Sequence, residues 1–143
     1  MNNKLLDYIR SKENKPMAVG TECNSMALNI LYILYPENKN IKMIKDKILI
    51  CKTFKEVRPL IKQYGTVHKF ILGLGYKEVT GRILPGDFLI KPRRYFDDVI
   101  YAIDSITYCG MAPLNQFNKN TQSFVISQDM HITTKHKIYR KGN

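Results

Sequence analysis

The sequence predicts an α+β fold, with N-terminal helices packed on a small antiparallel sheet. Three observations predict it. Apolar residues recur at helical spacing through the first half, short β-branched and aromatic runs between turn residues fill the second, and no repeat or linker divides the chain. Residues 1–143 therefore read as one domain, and 44% hydrophobic residues are enough for one core.

The helices come first. Asn2 or Asn3 can cap a helix that places Leu5, Leu6 and Ile9 on one face, and the polar run from Lys12 to Pro16 ends it. Gly20 reads as a turn. From Cys23 the pattern is helical again, with Met26, Ile30, Ile33 and Leu34 on or near one face until Pro36 and Asn38 stop it. Residues 39–52 look mixed: a basic stretch of Lys39, Lys42, Lys45 and Lys47, then the apolar Ile48-Leu49-Ile50-Cys51. Thr53 and Glu56 form a capping box, so a helix should run from there to Tyr64-Gly65, with Pro59 predicting a kink or an early break. A short helix from Val67 to Leu72 should close at Gly73 or Gly75.

The strands follow. Tyr76 to Val79, Phe88 to Ile90, Val99 to Ile103, Ile106 to Tyr108, Ser123 to Ile126 and Lys137 to Tyr139 read as short strands of an antiparallel meander. Leu84-Pro85-Gly86-Asp87 is a tight turn, in which Asp87 is expected to bond the backbone or, alternatively, to line a cleft. Asp104-Ser105 is a two-residue hairpin candidate without the favoured glycine.

Composition excludes several classes. The longest apolar candidate, Met26 to Tyr35, is interrupted by Asn29 and falls short of the ~18 residues of a membrane span. Met1 to Ser11 carry Asp7 and alternate polar with apolar residues, so no secretory signal peptide is expected. Cys23, Cys51 and Cys109 are too few for a disulfide framework and lack the paired spacing of a zinc site. With only His68, His131 and His136 besides, neither metal nor cofactor is expected.

Cys23 is the candidate for chemistry. It follows a glycine turn and opens a helix, where unsatisfied N–H groups can stabilise a thiolate, although Glu22 beside it opposes that by repulsion. The plainer reading is a small core residue. His68 reads as an exposed or capping residue.

These residues carry a family resemblance. Pro16, the run Gly20-Thr21-Glu22-Cys23 and Ala27 together resemble the nucleophile helix of NlpC-type, papain-like cysteine peptidases. Leu84-Pro85-Gly86-Asp87-Phe88-Leu89-Ile90 looks like their "PGD" turn and first core strand, and Val99 to Asp104 looks like the next strand. The order of elements is similar to that of short, mostly phage-encoded relatives of the family, including the helix at Lys52-Thr53-Phe54-Lys55-Glu56 and a final short strand. The resemblance implies an NlpC-like domain with Cys23 as nucleophile and a histidine base opening the strand after the "PGD" strand. The sequence departs there. Asp97 or Asp98 holds the base position, and Val99 replaces the family's glycine. A carboxylate, with a pKa near ~4, is a poor base for a thiol near ~8.5. Thr107 stands where the family orients its histidine, and His131 or His136 could fold back as substitute bases.

The formal charge is +11, distributed as +3 over residues 1–50, +5 over 51–100 and +3 over 101–143. Lys91, Arg93, Arg94 and Tyr95, with Lys135, Lys137, Arg140 and Lys141, are the candidate contacts for a polyanion or a partner protein. The resemblance then implies a virion protein of the tail or internal ejection apparatus, made in the host cytoplasm, with a degenerate Cys site. Its partners would be other virion proteins and packaged DNA bound non-specifically. The alternatives are an active thiol hydrolase of peptidoglycan, with the Cys23 N–H in its oxyanion hole, and a basic module that binds nucleic acid or a host protein.

Overall fold

A computed structural model describes residues 2–93, 96–113 and 122–142. Five helices precede six strands among them: α1 (Asn3–Lys12), α2 (Cys23–Leu34), α3 (Lys39–Leu49), α4 (Phe54–Tyr64), α5 (Val67–Gly73), β1 (Tyr76–Val79), β2 (Phe88–Lys91), β3 (Asp98–Ala102), β4 (Tyr108–Pro113), β5 (Gln122–Ser127) and β6 (Lys137–Lys141). The fold is mixed α+β, with an antiparallel sheet.

Local chemistry starts each helix. The side chains of Asn2, Glu22, Asn38, Thr53 and Thr66 each accept a backbone N–H from the first turn they precede. Residues 39–49 are a full helix, which corrects the mixed reading. Asn38 caps it, and Ile41, Ile44 and Ile48 turn inward at i, i+3 and i+7. Pro59 does not end α4, which continues to Tyr64. Both Pro59 and Lys55 are exposed, so the Lys55 carbonyl left without its helical donor is on the solvent side.

The strand order is β1-β6-β2-β3-β4-β5, with every neighbour antiparallel. A simple meander holds only from β2 to β5. The last strand inserts between β1 and β2, placing Tyr139 opposite both Glu78 and Phe88. Arg140 fastens it there. Its Nε and Nη2 donate to the two carboxylate oxygens of buried Asp87 at 2.8 and 2.7 Å, while Leu84 N–H also donates to Asp87 at 2.8 Å. Gly86, at φ 88°, supplies the left-handed residue of that turn. The β3–β4 connection is longer than the two residues anticipated. Asp104 Oδ1 accepts from Ile106 and Thr107 N–H, so Ile106 is an exposed turn residue and the strand begins at Tyr108.

The sheet has two apolar faces. Tyr76, Phe88, Ile90, Val99, Tyr101, Cys109, Phe124 and Tyr139 join Leu5, Ile9, Met26, Ile30 and Leu31 in the main core. Leu89, Ile100, Ala102, Tyr108 and Ile138 face the other way, under Ile83, Met130 and Ile132. Burial on both sides is why Phe88 to Ile90 is a continuous apolar run. A third cluster, of Leu28, Ile44, Ile48, Val57 and Ile61, joins α2 to α3 and α4. No helix among the described residues is long and apolar enough to cross a membrane.

Candidate functional site

The turn before α2 brings Cys23 against the start of β3. Gly20, at φ 92°, lets the chain turn, and its N–H donates to Glu22 Oε2 at 3.0 Å. Glu22 Oε1 accepts from Ser25 N–H at 3.0 Å and from the Ser25 hydroxyl. The carboxylate is buried, and it caps the helix.

Cys23 then meets backbone. Its thiol donates to the Asp97 carbonyl oxygen at 3.1 Å, and Asn24 Nδ2 donates to the same oxygen at 3.0 Å. The residue as a whole keeps some exposed surface. Burial pushes the thiol pKa up to about 12, the Asp98 and Glu22 carboxylates push the same way, and the Val99 N–H only partly opposes them. Burial and the two nearby carboxylates oppose a thiolate here, against the helix N-terminus that would favour one.

The two aspartates at the expected base position do other work. Asp97, almost fully buried, accepts from His68 N–H at 2.8 Å and from Arg93 N–H at 3.1 Å. It ties the first turn of α5 to the β2–β3 loop, and only its carbonyl reaches the thiol. Asp98 is on the face of Ile100 and Ala102, away from the main core, because side chains alternate along β3. There its Oδ2 meets His136 Nε2 at 3.2 Å. His136 Nδ1 accepts from Thr133 N–H at 3.1 Å, so in the neutral ring the proton is on Nε2 and is donated to Asp98.

The predicted substitute bases are accordingly elsewhere. His136 is a buried anchor of the loop before β6, and His131 is exposed on the same loop. His68 sets its ring edge-on to Tyr139 at 5.0 Å. Thr107 belongs to the β3–β4 turn. Among the described residues, no imidazole is bonded to Cys23.

The predicted polyanion set is also divided. Arg140 is consumed by Asp87 and by the Arg82 carbonyl, and Lys141 Nζ donates to the Leu74 carbonyl. Both therefore hold structural bonds as well as being candidates for an outer contact. Arg93, Lys135 and Lys137 are exposed and Lys91 is half-buried, while Arg94 and Tyr95 are outside the described residues.

Sequence reasoning missed Asn24. Its amide bridges Cys23 and Asp97, and its buried Oδ1 has no hydrogen-bond partner. Asn24 also lines a cavity of about 20 Å3 with Leu28, Ile44, Val57 and Val67, room for about one water molecule. An asparagine directly after Cys23, in the first turn of α2, was the available signal. The described residues contain no group of three or more potential metal-ligating His, Cys, Asp or Glu side chains.

Neither a family model, nor a curated protein, nor a solved structure matches the chain.

Proposed function

We propose that the chain is an NlpC-like, papain-like domain with a degenerate Cys site, acting as a structural component of a phage particle, in the tail or the internal ejection apparatus. One observation carries the non-catalytic part. The Cys23 thiol is a hydrogen-bond donor to a backbone carbonyl, with its pKa raised to about 12, where a peptidase needs an acceptor imidazole. A cysteine-opened helix beside β3, the strand after the one that follows the Pro85-Gly86-Asp87 turn, supports the scaffold. The virion role rests on the resemblance to phage-encoded relatives. A wall hydrolase is the weaker reading, because it requires a base at the place the Asp97 carbonyl occupies.

Complementation of a phage deleted for the gene tests this. Deletion should abolish infectious particles, and Cys23→Ala should restore them to within about twofold of the wild type. A folded Cys23→Ala protein that fails to restore infectivity, while releasing no muropeptides from purified wall where the wild type does, would establish the hydrolase instead.

A further inference from the structure

The overall charge hides a local concentration. Residues 39–69 hold nine of the 23 Lys and Arg but only two of the 12 Asp and Glu, Asp46 and Glu56. That segment alone has a net charge of +7 out of +11. Its two acids are already engaged: Asp46 pairs with Lys42 at 3.3 Å, and Glu56 accepts the Lys52 N–H at 2.9 Å.

The fold sorts these cations. Lys45 and Lys47 are spent on ring faces, over Tyr32 at 4.7 Å and Tyr64 at 5.6 Å. On α4, Val57 and Ile61 point inward, and Lys55, Arg58 and Lys62 are exposed at i, i+3 and i+7, the spacing of one helix face, with Arg58 also engaged within the protein. Exposed Lys52 precedes this row, and exposed Lys69 follows on α5. The β2–β3 loop joins it, because Phe96 packs edge-on against Phe54 with centroids 5.5 Å apart. Arg93, held at its N–H by Asp97, extends the same basic surface.

We propose that the exposed face of α4, with Arg93 and Phe96 of the adjoining β2–β3 loop, is a docking surface for duplex DNA, gripped through its phosphates without regard to sequence. The row from Lys55 to Lys62 is about 10 Å long, over which a duplex presents on the order of six phosphate charges. A protein partner would call for an apolar anchor among the cations. The exposed large apolar side chains, Met17, Met43, Leu49, Ile50, Leu72 and Ile106, all lie off α4 and off the described part of the β2–β3 loop. Lysines in a row on a convex helix, with no element reading base edges, suit backbone contact. Duplex DNA would be one partner of the virion component proposed above, and its choice as ligand rests on that reading. Particle assembly and duplex binding are read in separate assays, so either can fail alone.

Fluorescence anisotropy of the full chain with a labelled 20-base-pair duplex, between 50 and 200 mM salt, tests the surface. The triple variant Lys55→Gln, Arg58→Gln, Lys62→Gln should weaken binding at least tenfold at 50 mM salt. It should also flatten the slope of log K against log salt by about 3. A charge-matched control, Lys77→Gln, Lys135→Gln, Lys137→Gln, should lose less than threefold. Lys52→Gln with Lys69→Gln, outside α4, should give an intermediate loss and keeps the test open if the triple variant does not fold. Equal losses in the triple variant and its control would overturn the surface, as would no binding by the wild type. Polyglutamate competing as well as duplex at matched charge would reassign it to an acidic protein.

Discussion

Consecutive aspartates at the start of β3 meet opposite surroundings. Asp97 faces the helices, buried, and spends both carboxylate oxygens on the N–H groups of His68 and Arg93. Asp98 faces the other side, about a third exposed, and holds the ring of His136. The thiol is on the first side and the anchored imidazole on the second. A strand's two-residue period thus separates a Cys, a carboxylate and a His that could otherwise make a catalytic set. The components of a site can all be present in a chain and still be divided by a sheet.

The largest effect expected from breaking this arrangement is on stability. Asp97→Ala leaves two N–H groups without acceptors and should cost about 2–3 kcal/mol in urea unfolding, whereas Asp98→Ala should cost less than about 1 kcal/mol. Equal costs would mean that the two positions are not distinguished by burial.

Next comes pH. The folded thiol of Cys23 is raised to about 12, above the ~8.5 of an unfolded cysteine. A raised folded pKa means that the native state holds the proton more tightly. Its contribution is complete below pH ~8.5 and is lost as pH climbs towards 12. Wild-type stability minus that of Cys23→Ala should therefore fall by at most ~2 kcal/mol between pH 7 and 10. A difference that rises over that range would mean an activated thiolate.

The smallest effect sharpens the comparison most. In a double-mutant cycle at pH 7, Asp98→Asn and His136→Gln should couple by about 0.5–1.5 kcal/mol. Asp98→Asn and Cys23→Ala should be additive within ~0.3 kcal/mol, because the thiol is neutral and belongs to the other face. Coupling of the second pair as strong as the first would unite the two sides.

Much of the fold was readable in caps and spacing. Asn2, Thr53 with Glu56, and the apolar face after Cys23 placed α1, α4 and α2. The inward residues of α3 were equally regular, but the lysines between Ile41, Ile44 and Ile48 made residues 39–52 read as mixed. The position of β6 could not be read locally, since it depends on Arg140 finding Asp87 across 53 residues. The candidate residues could be named from the chain, but not which of them meet. The resemblance put Asp97 or Asp98 at the expected base position, but which one faces the helices depends on strand register, and a shift of one residue exchanges them. The charge was counted correctly in long blocks whose boundary at residue 50 split the basic segment in two.

The thiol of Cys23 offers the most direct test of the central claim. Its alkylation rate should be followed against pH in the native protein with Cys51→Ser, leaving Cys109 buried in the core and locating the adduct by mass spectrometry. The account predicts a rate far below that of a free thiol at pH 8, still rising at the highest pH the fold survives, towards a midpoint of about 12. Fast alkylation with a midpoint well under ~8.5 would show a thiolate activated by a base, and would contradict it.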